Sequence, residues 1–322
     1  MDGRERQVID CNRSLSGIWR FNKIQTNDLT PSIPKVHHLY SSLLQTFALV
    51  ILCFPFCSAA HVGIHEKIEG LSRSIQQHPE SSQLYILRGE AYRLHGSRDS
   101  AITDFRKALD IDPGNVAATI GLGRTYLDQG NPQQAIVHLN RALGWEPGNV
   151  RALTIRAQAN AGTGRPFKAA MDYTRAIEQF REDRKPLPDY YLECARAYEL
   201  AGDQYIDRAL QCLDEGINVL GHIRTLELYA VELETGRGNF DAALVRLDDI
   251  LARAERKEFL LLQRGDILAA AGRPAAAAQV YLAAQEAINT LPPQRRHTRS
   301  IKELQADLVA RLTSPGIRSN ND

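Results

Sequence analysis

Six positions of this chain come round again 34 residues later. Gly89, Tyr92, Ala101, Phe105, Ala108 and Pro113 return as Gly123, Tyr126, Ala135, Leu139, Ala142 and Pro147. They return more loosely as Ala157, Asn160, Ala169, Tyr173 and Ala176. A fixed period of this length marks units that touch mainly their neighbours. One such unit cannot bury its apolar face alone, so the chain is expected to fold as a stack rather than around a single centre.

The composition agrees with helical units. Alanine and leucine run through residues 60–312 with few β-branched runs, which favours helix over strand. Hydrophobic residues make up 43% and charged residues 24%, ordinary for a soluble protein. The net charge is +1, so no whole-molecule field draws nucleic acid or anionic membrane. A stack grows by addition, so 322 residues set the number of units and not the number of domains.

The recurring residue types have a packing reason. Gly89, Gly123, Ala157, Ala195, Ala230 and Gly265 on a first helix are expected to meet Ala101, Ala135, Ala169, Ala209, Ala243 and Ala277 on a second. Small residues there let two helix axes approach to the near end of the roughly 8–10 Å range. Gly96, Gly130, Gly164, Gly202 and Gly272 fall between the helices, where positive φ ends the first one. Pro113 and Pro147 close the second helix and restrict the residue before them. Gly121 and Gly123 read as a packing pair in register with Gly89, not as a phosphate loop, because no strand precedes them.

These residues resemble the tetratricopeptide repeat. The likeness spans about residues 62–292, with units at 82–115, 116–149, 150–183, 188–221, 223–254 and 258–291. The first two match most fully. The third ends without proline in the charged run Arg181 to Lys185, and the fourth carries an insertion near Gln204 to Asp207. The resemblance implies an all-α, right-handed solenoid of about six helix pairs. Residues 61–81 are expected to cap it at one end. At the other, residues 292–322 are expected to supply a cap helix, Thr298 to Leu312, and a flexible tail.

The resemblance further implies a non-catalytic scaffold, adaptor or assembly factor that takes a protein or peptide in a concave groove lined by first helices. The family's carboxylate clamp is not expected. Its positions hold Ile86, Glu90, Gly121, Arg151 and Ile155, of which only Arg151 is basic. The groove is expected instead to present Arg93, Arg124, Arg151 and Arg196, interspersed with Glu90, Asp128 and Glu199 and with apolar Ile86, Ile120 and Leu192. Such a surface would read an acidic or extended peptide through arginine forks.

Residues 1–60 read as a leader. Leu43 to Phe56 form an uncharged apolar core of signal-peptide length, shorter than the roughly 20 residues of a membrane span. Ser58 and Ala60 fit a cleavage site. Export to the periplasm or medium is therefore expected. Residues 1–42 precede the core, an unusually long stretch, and leave an uncleaved inner-membrane anchor and a membrane-tethered assembly subunit as the alternative. Cleavage after Ala60 would expose His61 as the amino terminus, and with His65 it forms the one metal candidate, for a copper or haem pathway. Past residue 60 the only cysteines are Cys194 and Cys212, on the two helices of unit four. Two separate buried thiols or one disulfide both fit that placement. No catalytic constellation, nucleotide loop or cofactor motif stands out, so an enzyme is not expected.

Overall fold

The period resolves into helix pairs. The computed structural model describes residues 63–180 and 184–314. A first helix, α1, spans residues 63–77. Six pairs follow: α2 (Ser82–Leu94) with α3 (Arg98–Ile111), α4 (Val116–Asp128) with α5 (Pro132–Trp145), and α6 (Val150–Gly162) with α7 (Pro166–Ile177). Then come α8 (Pro188–Ala201) with α9 (Ile206–Leu220), α10 (Arg224–Gly236) with α11 (Phe240–Arg253), and α12 (Glu258–Ala270) with α13 (Pro274–Asn289). A short α14 (Pro293–Arg296) leads into α15 (Arg299–Leu312). No strand occurs among the described residues. No helix among them is long and apolar enough to cross a membrane. The leader and the tail beyond residue 314 lie outside the described residues.

Local chemistry explains where the helices begin and end. Asn115 and Asn149 accept from the amides of Ala118 and Ala152 at 3.0 Å and cap α4 and α6. Pro132, Pro166, Pro188 and Pro274 open their helices, where a missing N–H costs nothing. All five inter-helix glycines named above have positive φ, from 68° at Gly164 to 119° at Gly202. Gly238 does the same for unit five, at 78°. The insertion in unit four forms a single 3-10 turn, Asp203–Tyr205.

Each unit is tied to the one before it. Arg141 Nη2 donates to the Pro113 carbonyl at 3.1 Å, and Arg175 Nη2 to the Pro147 carbonyl at 3.2 Å. The carbonyl after each closing turn is thus satisfied by the next unit's second helix. Tyr126 packs between the clusters of units one and two and stacks on His138 at 5.3 Å. Tyr92 packs on the unit-one cluster with Arg88 over its ring. Caps close both ends: Ile68 and Ile75 of α1 are buried, as are Ile301, Leu304 and Leu308 of α15.

The expected small-on-small contact is present at Gly123, where an added Cβ would lie 3.4 Å from the Ala135 carbonyl, but it is not the tightest one. A Cβ added at Gly89, Gly123 or Gly265 would first meet a large side chain 16 residues on, not the alanine at 12. The nearest atoms are those of Phe105 at 3.1 Å, Leu139 at 2.8 Å and Tyr281 at 2.2 Å. The glycine makes room for the group that fills the gap, while Ala101, Ala135 and Ala277 are fully buried. Gly121 serves the unit before it, lying 2.4 Å in the same sense from the Phe105 ring.

The two cysteines are joined. Cys194 on α8 and Cys212 on α9 form a disulfide with Cα atoms 6.2 Å apart, inside the range a bond allows. Both residues are buried. Antiparallel packing places them opposite each other at similar distances from the 3-10 turn.

Candidate functional site

First helices of successive pairs lie beside one another: α2 on α4, α4 on α6, α8 on α10. The arginines expected on that face are present but engaged. Arg93 donates through Nε to Glu90 and through Nη1 to Asp128, both at 2.9 Å. Arg124 reaches Asp128 at 3.1 Å and the Gln158 amide oxygen at 3.2 Å. Arg151 pairs with Glu90 across two units. Three arginines and two carboxylates thus form one lattice over units one to three. Arg196 stands apart and pairs with Glu193 at 2.8 Å.

Burial alone would raise the Glu90 carboxyl, but hydrogen bonds from Arg151 and Arg93 outweigh it and hold the group below the usual carboxylate range. Burial would lower Arg93, yet Asp128 and Glu90 hold it above its ordinary value. The sign of the linkage follows. A depressed carboxyl contributes stability above its unfolded pKa of about 4.3 and loses it as pH falls through the lower folded value. Glu90→Gln removes that dependence. The urea midpoint of the variant should fall less steeply than wild type below about pH 4.5. Parallel curves for the two proteins would contradict the lattice.

Ile120 needs correction as a groove residue. It is 3% exposed and packs in the unit-two core, so it offers a partner nothing. Ile86 and Ile155 are buried in the same way. Leu192 is half-buried and does face outward, into a cleft of about 640 Å³ between α8 and α10. Arg196, Leu200, Leu228, Tyr229 and the carboxylates Glu199 and Glu232 share its walls. Leu200 is 72% exposed, the largest value for a bulky apolar side chain among the described residues. Tyr229 donates its hydroxyl to Glu199, and burial followed by that carboxylate pushes the phenol well above its ordinary value.

The first-helix face therefore has two parts. The half near the amino terminus is charged, and each of its arginines is tied to a carboxylate. The half on α8 and α10 is apolar, with two acidic groups at its edge. Leu200, Leu228 and Tyr229 were not foreseen. Leu200 stands one turn past Arg196 on the same face, a spacing that could have pointed to it.

His61 lies outside the described residues, so its metal role rests on sequence alone. The His65 ring stands 5.4 Å from that of His95, whose Nδ1 is 3.0 Å from the Ser97 hydroxyl. No group of three His, Cys, Asp or Glu side chains is arranged to hold a metal ion among the described residues.

Two family models, both described as tetratricopeptide repeat, match residues 92–159 and 232–292. No curated protein matches the chain. Among solved structures, MamA is 26% identical over 56% of this chain and 94% of its own, with a TM-score of 0.47. YrrB, described as a TPR protein with an unusual peptide-binding site, is 18% identical over 57% of this chain and 92% of its own, at 0.48. Pseudomonas aeruginosa pilF is 17% identical over 70% and 97%, at 0.44. A 34-residue period, six successive helix pairs and two family matches agree, and the chain carries tetratricopeptide repeats.

Proposed function

We propose that this protein is a non-catalytic adaptor that holds an extended segment of a protein partner along its first-helix face. The observation that carries the reading is the α8/α10 cleft. Leu192, Leu200, Leu228 and Tyr229 gather apolar surface at one place on a face that is otherwise charged. A few apolar anchors in a shared recess supply most of the affinity of such interfaces, while surrounding charges exclude water and set register. Rigid helices on both walls reduce the ordering cost of binding. The charge lattice of units one to three supports the same reading by keeping the neighbouring helices in register, rather than by reading acidic residues itself.

Export is part of the proposal. A buried disulfide suits an oxidising compartment, and the apolar core at residues 43–56 suits a signal. Amino-terminal sequencing and fractionation of the native protein test this part separately. The binding part is tested with Leu200→Asp and Tyr229→Ala. Each should weaken the complex with the native partner about ten-fold or more, the cost of losing one central anchor. Leu200 is exposed and Tyr229 half-buried, and retained melting temperatures would verify that both variants fold. Full affinity in both variants would reject the cleft as the seat of binding.

A further inference from the structure

We propose a second binding surface on the other side of the stack, over α5, α6 and α7, that takes acidic side chains of a protein partner. Apart from Arg151, which is tied to Glu90 on the first-helix face, residues 132–177 contain Arg141, Arg156, Arg165, Lys168 and Arg175 against only Glu146 and Asp172. That is a positive excess of three, where the whole chain carries +1. The excess is not spread evenly. A cleft of about 310 Å³ between α5 and α7 is lined by Arg156, Arg165, Lys168 and Arg175, with Asn140 and Asn160 beside them.

One carboxylate faces this cleft, and it is already committed. Asp172 is 4% exposed. It accepts from Arg156 Nε at 2.9 Å and from Arg156 Nη2 at 2.5 Å, and Asn160 donates to it at 3.1 Å. Arg156 is thereby neutralised. Arg175 spends one N–H on the Pro147 carbonyl, which leaves its charge unopposed. Arg165 and Lys168 are exposed and have no ion-pair partner among the described residues. Three cations thus surround one recess without a counter-charge.

The first-helix face shows the opposite arrangement, since its arginines are tied to Glu90, Asp128 and Glu193. Arginine and lysine around a recess favour carboxylates or phosphates, and arginine adds a planar fork. The exposed Met171 on α7 lies among these cations and provides apolar contact, which suits a peptide better than a bare anion. This surface is separate from the α8/α10 cleft, so each can fail without the other.

Fluorescence anisotropy with a labelled octaglutamate peptide tests the surface on the full chain. Wild type should bind, and raising ionic strength from about 0.1 M to about 1 M should abolish binding as the Debye length falls from about 10 Å to about 3 Å. Arg165→Glu with Lys168→Glu should weaken it about ten-fold or more, and Arg165→Gln with Lys168→Gln by less, since neutralisation lacks the repulsion of reversal. Lys302→Glu, on the exposed side of α15, should leave it unchanged. Melting curves verify that the variants fold. Absence of octaglutamate binding, or equal binding by the reversed variant, overturns the proposal. Tighter binding of an oligothymidylate, or displacement of the peptide by millimolar inorganic phosphate, also overturns it, assigning the recess to nucleic acid or free anion.

Discussion

Reducing the Cys194–Cys212 bond should destabilise unit four by about 3 kcal/mol, the entropy released when a loop of this size is opened in the unfolded chain. The residues are 18 apart in sequence. The effect falls on one place in the stack. Cys194 lies on α8, the helix that also carries Leu192, Arg196 and Leu200. Loosening α8 from α9 therefore loosens one wall of the apolar cleft. Thermal unfolding with and without reductant reads the loss, and alkylation followed by intact mass verifies the bond before each run. Cys194→Ser with Cys212→Ser should match the reduced protein and ignore reductant. Equal melting of oxidised and reduced wild type would contradict a stabilising bond.

Gly265→Leu should cost at least about 1–3 kcal/mol, the usual range for forcing extra bulk into a packed interior. A Cβ at this position would lie 2.2 Å from Tyr281 Cε1. The ring cannot simply turn away. It is 1% exposed, and its hydroxyl donates to Asp266 at 2.8 Å. Asp266 also accepts from Arg311 of α15, so moving the ring disturbs the contact that seats the end cap. Gly265→Ala should cost less. Unit three pairs Ala157 with Tyr173 at the same spacing, which shows that one methyl can be accommodated when the helices shift slightly. Urea denaturation of the two variants checks the order. A leucine variant as stable as wild type would overturn the packing account.

Much of the architecture was legible because it repeats. Helix starts, inter-helix glycines and the two closing prolines depend on residues within one turn of each other. The period fixed the inter-helix glycines of five of the six units. Gly238 escaped because unit five keeps few of the recurring residues, although its turn has the same backbone need.

The site was less legible, for a physical reason. Whether Ile120 faces a groove or a core depends on how far α4 rotates about its axis, and a small rotation buries it. Arg93 and Asp128 are 35 residues apart, and Arg151 and Glu90 are 61 apart. Such pairs form only once stacking has brought neighbouring units together. The sequence shows arginines and carboxylates interspersed on the face, but not which of them meet. The same holds for the cations around Arg165 and Lys168, whose importance comes from the carboxylates that are not beside them. For the cysteines, spacing allowed a bond or two thiols, and the register of α8 on α9 decides between them.

A photoreactive amino acid placed in turn at Leu200 and at Val245 tests the central claim most directly. Both side chains are exposed, Leu200 on the first helix of unit four and Val245 on the second helix of unit five. If the first-helix face holds the partner, irradiation of the native complex should join a single partner segment to position 200 and leave position 245 unlinked. Equal cross-linking at the two positions, or cross-linking at 245 alone, would contradict it.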